Sequence, residues 1–143
     1  MALGAAAVLA LLAACAARPP EEEALRARIA AMAAALAEGR AEDFLDALAE
    51  DFVGPEPDFD RRRAGLMLRL HLARHRRLGV ELGPLAVERH GERAGVRFLA
   101  VLRAGEGVVP EELGVWRVET GWRRERAGWV LVSARWERPL GDP

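Results

Sequence analysis

The chain has 143 residues, 51% of them hydrophobic, and 21 Lys plus Arg against 22 Asp plus Glu give a formal net charge of −1. That is room for one domain with its own core, and too apolar a chain for long-range disorder. The even charge balance gives no general attraction to polyanions, so nucleic acid is not an expected partner.

The alphabet removes further chemistry. All 21 basic residues are Arg, and without Lys there is no Schiff base. Ser133 is the only Ser and lies in a predicted strand. One Cys excludes an internal disulfide and any zinc site built from several thiolates.

Residues Ala2 to Ala14 are uncharged and almost all Ala, Leu and Val. Such a run is too short to span a bilayer and suits the apolar region of an export signal. It ends Leu12-Ala13-Ala14-Cys15. This resembles the lipobox of bacterial lipoproteins, in which small residues precede a Cys that receives a diacylglyceryl group. The resemblance implies a signal peptide over 1–14, lipid attachment at Cys15, a tether over 15–23 and a domain over 24–143. It also implies a membrane-anchored protein of the cell envelope facing the periplasm. Ala16 after the Cys favours the outer membrane over the inner. The plain alternative is an ordinary cleaved signal and a soluble periplasmic chain.

A first helix is expected from about Pro20. Pro suits the first turn, and Glu21 to Glu23 complement the positive end of the helix dipole. Leu25, Ile29, Met32 and Leu36 share one face, and Gly39 ends it. A second helix is expected over about Ala41 to Asp51, burying Phe44, Leu45, Leu48 and Phe52. Gly54-Pro55-Glu56-Pro57-Asp58 breaks it. Asp60 can cap a third helix, about Arg61 to Leu78, whose apolar stripe is Leu66, Met67, Leu70 and Ala73, with Gly79 as its stop.

The period then changes to two. Val80 and Leu82 alternate, Gly83-Pro84 breaks the phase as a bulge would, and Leu85 and Val87 resume it. His90-Gly91 is a tight turn into a strand over Arg93 to Leu102, with Ala94, Val96, Phe98 and Ala100 on one face. Gly105 to Glu112 reads as a loop. Leu113 to Arg124 and Trp129 to Arg138 form a final hairpin around Glu125 to Gly128. In one register Trp116 faces Trp136 and Trp122 faces Val130 on the inner face. Arg117 then faces Arg135 on the outer one, with Trp129 and Leu131. A single bulge would exchange part of these faces.

Three helices followed by long antiparallel strands resemble the nuclear-transport-factor-2-like superfamily. The likeness rests on Leu48 to Gly54 (LAEDFVG), Gly79 to Phe98 (GVELGPLAVERHGERAGVRF) and Val118 to Trp136 (VETGWRRERAGWVLVSARW). It implies an α+β fold: three N-terminal helices packed on a curved four-stranded antiparallel sheet, cone-shaped, with a pocket at the open end. Some members are isomerases, cyclases or dehydratases; others bind proteins or small molecules. The isomerases use a Tyr with a protonated Asp, and this chain has no Tyr, which puts that mechanism in doubt.

His71 and His75, four apart on the third helix, share a face. They could ligate a metal or supply a general base, but a third ligand is not evident, and no metal or other cofactor is expected. Glu56, Asp58 and Asp60 could supply a catalytic carboxylate, although such residues more often form turns and caps. No catalytic residue is assigned. Trp116 and Trp122 read first as core. Trp129 and Leu131 read as a pocket edge or a homodimer surface, and Trp136 lies on the same hairpin. The expectation is a non-catalytic domain that binds a small apolar molecule or a protein. An enzyme using a His or carboxylate base and a homodimeric structural component are the alternatives.

Overall fold

The computed structural model describes residues 18–75, 78–104 and 111–139. The expected signal peptide, Cys15, the Arg76-Arg77 pair and most of the expected loop from Gly105 lie outside the described residues. The helices are α1 (Pro20–Ala37), α2 (Ala41–Asp46) and α3 (Arg61–His75). The strands are β1 (Leu48–Val53), β2 (Leu78–Leu82), β3 (Ala86–His90), β4 (Arg93–Ala104), β5 (Glu111–Glu125) and β6 (Gly128–Glu137). Glu21 to Glu23, expected in the tether as well as the first turn, lie in α1.

The sheet is mixed and open, with six strands in the order β1-β6-β5-β4-β2 and β3 also paired to β4. This corrects the expected four-stranded antiparallel sheet in two places. At Gly83-Pro84 one expected strand becomes two. Leu82 pairs with Ala100 and Ala86 with Arg97, a one-residue slip that accounts for the broken alternation. At the other edge, β1 runs parallel to β6 in a stretch expected to be helical. Phe44, Leu45, Leu48 and Phe52 do fit helical spacing. The helix nevertheless stops at Asp46, because the Ala47 carbonyl accepts a 2.8 Å hydrogen bond from the Leu131 amide instead of continuing the helical ladder.

The register of the last hairpin also departs from the one considered. Val118 pairs with Trp136 and Thr120 with Ala134. A bulge between Gly121 and Trp122 then puts Trp122 opposite Leu131 and Arg124 opposite Trp129. Gly121 is needed there, since a Cβ would sit 2.5 Å from the Ser133 hydroxyl. The bulge turns Trp129 and Leu131 inward, where they are 3% and 6% exposed. They are core residues and form no dimer surface. On the outer face Arg117 pairs with Glu137 and Glu119 with Arg135, so opposite charges meet where the earlier register set Arg117 against Arg135. Facing opposite charges each contribute a few tenths of a kcal/mol, roughly, and facing like charges oppose the pairing.

Leu25, Ile29, Met32 and Ala35 of α1 pack on this inner face, with Val96 at the centre of the core. One end of α1 is fixed to the hairpin turns. The Trp129 indole donates to the Glu21 carbonyl at 3.0 Å, and Arg89 and Arg124 pair with the Glu21 carboxylate.

Asp60 caps α3 as expected, accepting from the Arg63 amide at 2.9 Å. The helix then crosses from the β1 edge, where Asp60 bridges to Val53, to the β2 edge at Leu78. Its orientation differs from the expected one. Gly65 and Leu72 are buried, while Leu66 and Leu70 are each 58% exposed. Five of the fifteen residues are Leu or Met, so spacing alone allowed two faces. On the buried face the missing side chain at Gly65 allows a close approach to Leu45, whose Cδ1 would lie 3.3 Å from a Cβ there. Leu78, expected to close the helix, instead opens β2, and Gly79 lies inside β2 beside the Arg103 backbone.

Candidate functional site

Helix α3 does not close the space it crosses. Beneath it lies a cavity of 640 Å³, walled by the second half of α1, by α3 and by the inner face of the sheet. Its size is ordinary for a small-molecule site. The floor is formed by Phe98, Ala100 and Leu102 of β4 and by Trp116, Val118 and Trp122 of β5. These are the every-second residues of two paired strands, so one apolar face supplies the whole floor.

The polar groups at the bottom satisfy one another. Thr120 donates its hydroxyl to the Val96 carbonyl at 2.8 Å and accepts the Trp122 indole N–H at 2.8 Å. The other polar lining residues, His71, Arg74 and His75, all belong to α3. The His71 and His75 rings lie 4.7 Å apart between centroids, tilted by 40°. Among the described residues no carboxylate lines the cavity, and no cluster of three His, Cys, Asp or Glu could hold a metal ion.

Residues that both line the cavity and are exposed mark its mouth: Met67, Leu70 and Arg74 of α3, and Trp136 at the end of β6. Trp136 meets the buried Phe59 ring edge to face at 5.4 Å. Arg138 lies 4.6 Å above the Trp116 ring. Of the residues singled out in the sequence, His71, His75, Trp116, Trp122, Leu131 and Trp136 are thus gathered around one cavity. Trp129 is not among them; it lies beyond the floor, bonded to α1.

The loop carboxylates take structural roles. Asp60 is the cap, and Asp58 pairs with Arg63 at 2.5 Å with Glu56 at 3.9 Å. Elsewhere Arg123 grips Asp51 through two hydrogen bonds of 3.1 and 3.0 Å, which hold that carboxyl below its usual range. That pair lies on the surface, where it ties β5 to the β1 edge. The residues that sequence reasoning missed are Met67, Leu70 and Arg74 as a rim. The first two were assigned to the apolar stripe of the helix.

A helical layer on a curved sheet, enclosing an apolar cavity at one end, defines the nuclear-transport-factor-2-like, or cystatin-like, cone. The comparisons agree with that fold. A nuclear-transport-factor-2-like protein with a cystatin-like fold from Novosphingobium aromaticivorans aligns with a TM-score of 0.70 at 23% identity, over 96% of this chain and 89% of that one. A protein provisionally described as a dehydratase of the same family, from Streptomyces avermitilis, aligns with a TM-score of 0.71 at 18% identity, over 83% and 96%. A Bdellovibrio bacteriovorus protein aligns at 0.68 and 12% identity over 79% of this chain, which spans 40% of that protein's length. No family model and no curated protein matches the sequence.

Proposed function

We propose that the chain is an envelope lipoprotein, anchored through Cys15, whose cone binds a small apolar or amphipathic molecule without transforming it. The observation that carries the binding reading is the 640 Å³ cavity with apolar walls and, among the described residues, no carboxylate in its lining. The anchor rests on Leu12-Ala13-Ala14-Cys15 at the end of an uncharged apolar run. Among the described residues no helix is long and apolar enough to cross a membrane. Helix α1 has 18 residues, about 27 Å of length, and Cys15 precedes its hairpin-turn end.

Native mass spectrometry of the full chain, purified from a bacterial envelope, tests both parts. A covalent diacylglyceryl adduct is expected on the wild type, together with a non-covalent mass at fixed stoichiometry. The Cys15→Ser variant should lose the first and keep the second. A wild-type chain without covalent lipid would remove the anchor, and one that emerges without any bound molecule would count against the pocket.

One observation favours a second reading. The paired His71 and His75 rings stand on the wall of a cavity that could hold a substrate, as a general base would. If a substrate of isomerase, cyclase or dehydratase type is found, His71→Ala should reduce kcat by about a hundredfold or more. Unchanged turnover would remove His71 from the mechanism.

A further inference from the structure

We infer that the ligand is a single-chain anionic amphiphile, a long-chain acyl carboxylate, with its tail in the cone and its head at Arg74. The inference rests on the binding reading above and adds the chemical class. Size limits the tail first. The 640 Å³ cavity falls within the range of about 300–1,000 Å³ usual for small-molecule sites. One long acyl chain with its carboxylate fits that volume.

Charge decides the head. Helix α3 carries Arg61, Arg62, Arg63, Arg69 and Arg74 and not one Asp or Glu. Three of these guanidiniums have protein partners: Arg61 donates to the Leu45 carbonyl, Arg63 to Asp58 and Arg69 to Glu42. Arg74 lines the cavity, is exposed at the mouth, and makes no ion pair among the described residues. Its place in the last turn of α3 has a simpler account, since a cation there complements the helix dipole. That dipole amounts to about half a negative charge and leaves the guanidinium net positive. A carboxylate beside it would meet a planar two-pronged donor suited to its geometry. Among the described residues no acid in the lining competes for that donor. The exposed faces of Met67 and Leu70 flank the opening and would cover the first methylenes of the tail.

Trp116, Trp122 and Trp136 line the cavity, so their fluorescence can report entry. The full chain carrying Cys15→Ser, which accepts no lipid, is titrated with dibromostearate and with dibromostearyl alcohol, whose bromines quench indole emission on contact. Both should quench, the carboxylate at roughly fivefold lower concentration, the factor that an exposed ion pair at its upper limit supplies. Arg74→Gln should remove that preference and leave the alcohol unchanged, and Arg74→Lys should restore most of it. Equal quenching by both probes, or a preference that survives Arg74→Gln, overturns the assignment of the head and leaves the apolar pocket standing. Failure of both probes to quench overturns the pocket as well.

Discussion

Trp129→Ala should cost the domain about 3–5 kcal/mol, the range for removing a buried aromatic ring. Trp129 is 3% exposed, packs with Leu131 in the core and donates its indole N–H to the Glu21 carbonyl at 3.0 Å. Two losses therefore combine. The ring leaves a void between the sheet and α1, and the hydrogen bond that links the hairpin to the start of α1 is lost. A stability of 5–15 kcal/mol is usual for a domain, so the substitution should remove a large part of it. Urea unfolding of the full chain, followed by circular dichroism, measures the change. If Trp129 were an assembly residue, as its place among outer-face charges first suggested, the midpoint would stay put and the oligomeric mass would change.

Ala100→Phe should abolish ligand binding while leaving the fold nearly as stable as before. Ala100 is buried on the cavity floor in β4, paired with Trp116 on one side and Leu82 on the other. A phenyl ring built there would extend from the floor toward the cavity. In a filled core, added bulk costs about 1–3 kcal/mol. Over a cavity of 640 Å³ the cost should stay under about 1 kcal/mol, because new apolar contacts offset the strain. The ring occupies the path of any tail, so quenching by dibromostearate should need at least about tenfold more probe, a loss equivalent to about 1.4 kcal/mol. Unfolding and quenching measured on the same sample separate the outcomes. A large loss of stability would mean that the floor is already packed in solution and that the cone is closed.

Much of the architecture was legible because it is locally encoded. The start of α1 at Pro20, the stop near Gly39, the cap at Asp60 and the slip at Gly83-Pro84 each follow from one residue's backbone or hydrogen-bonding preference. The hairpin register was within reach too. Pairing Arg117 with Glu137 and Glu119 with Arg135 brings opposite charges together, and that comparison distinguishes the observed register from the one with facing Arg residues. What local pattern could not supply was β1. Its apolar spacing is as good for a helix as for a strand, and its strand partner, β6, lies some 80 residues away in sequence.

The sequence by itself determined the elements other than β1, the alternation that makes one sheet face apolar, and the residue types that exclude Lys, Tyr and disulfide chemistry. It also carried the Leu-Ala-Ala-Cys stretch on which the proposed anchor rests. The tertiary structure decided which way α3 faces and which way Trp129 and Leu131 point. It decided, too, whether the cone is filled. Each of these depends on contacts between distant segments: Gly65 against Leu45, Gly121 against Ser133, and the Leu131 amide on the Ala47 carbonyl. A helix with apolar residues on several sides has no preferred face until a neighbour crowds one of them, and a strand keeps or flips its faces according to a single bulge. The pocket is a consequence of those two choices. Helix α3 lays its Gly65 edge on Leu45 and spans the sheet from edge to edge, and the volume left beneath it is the site.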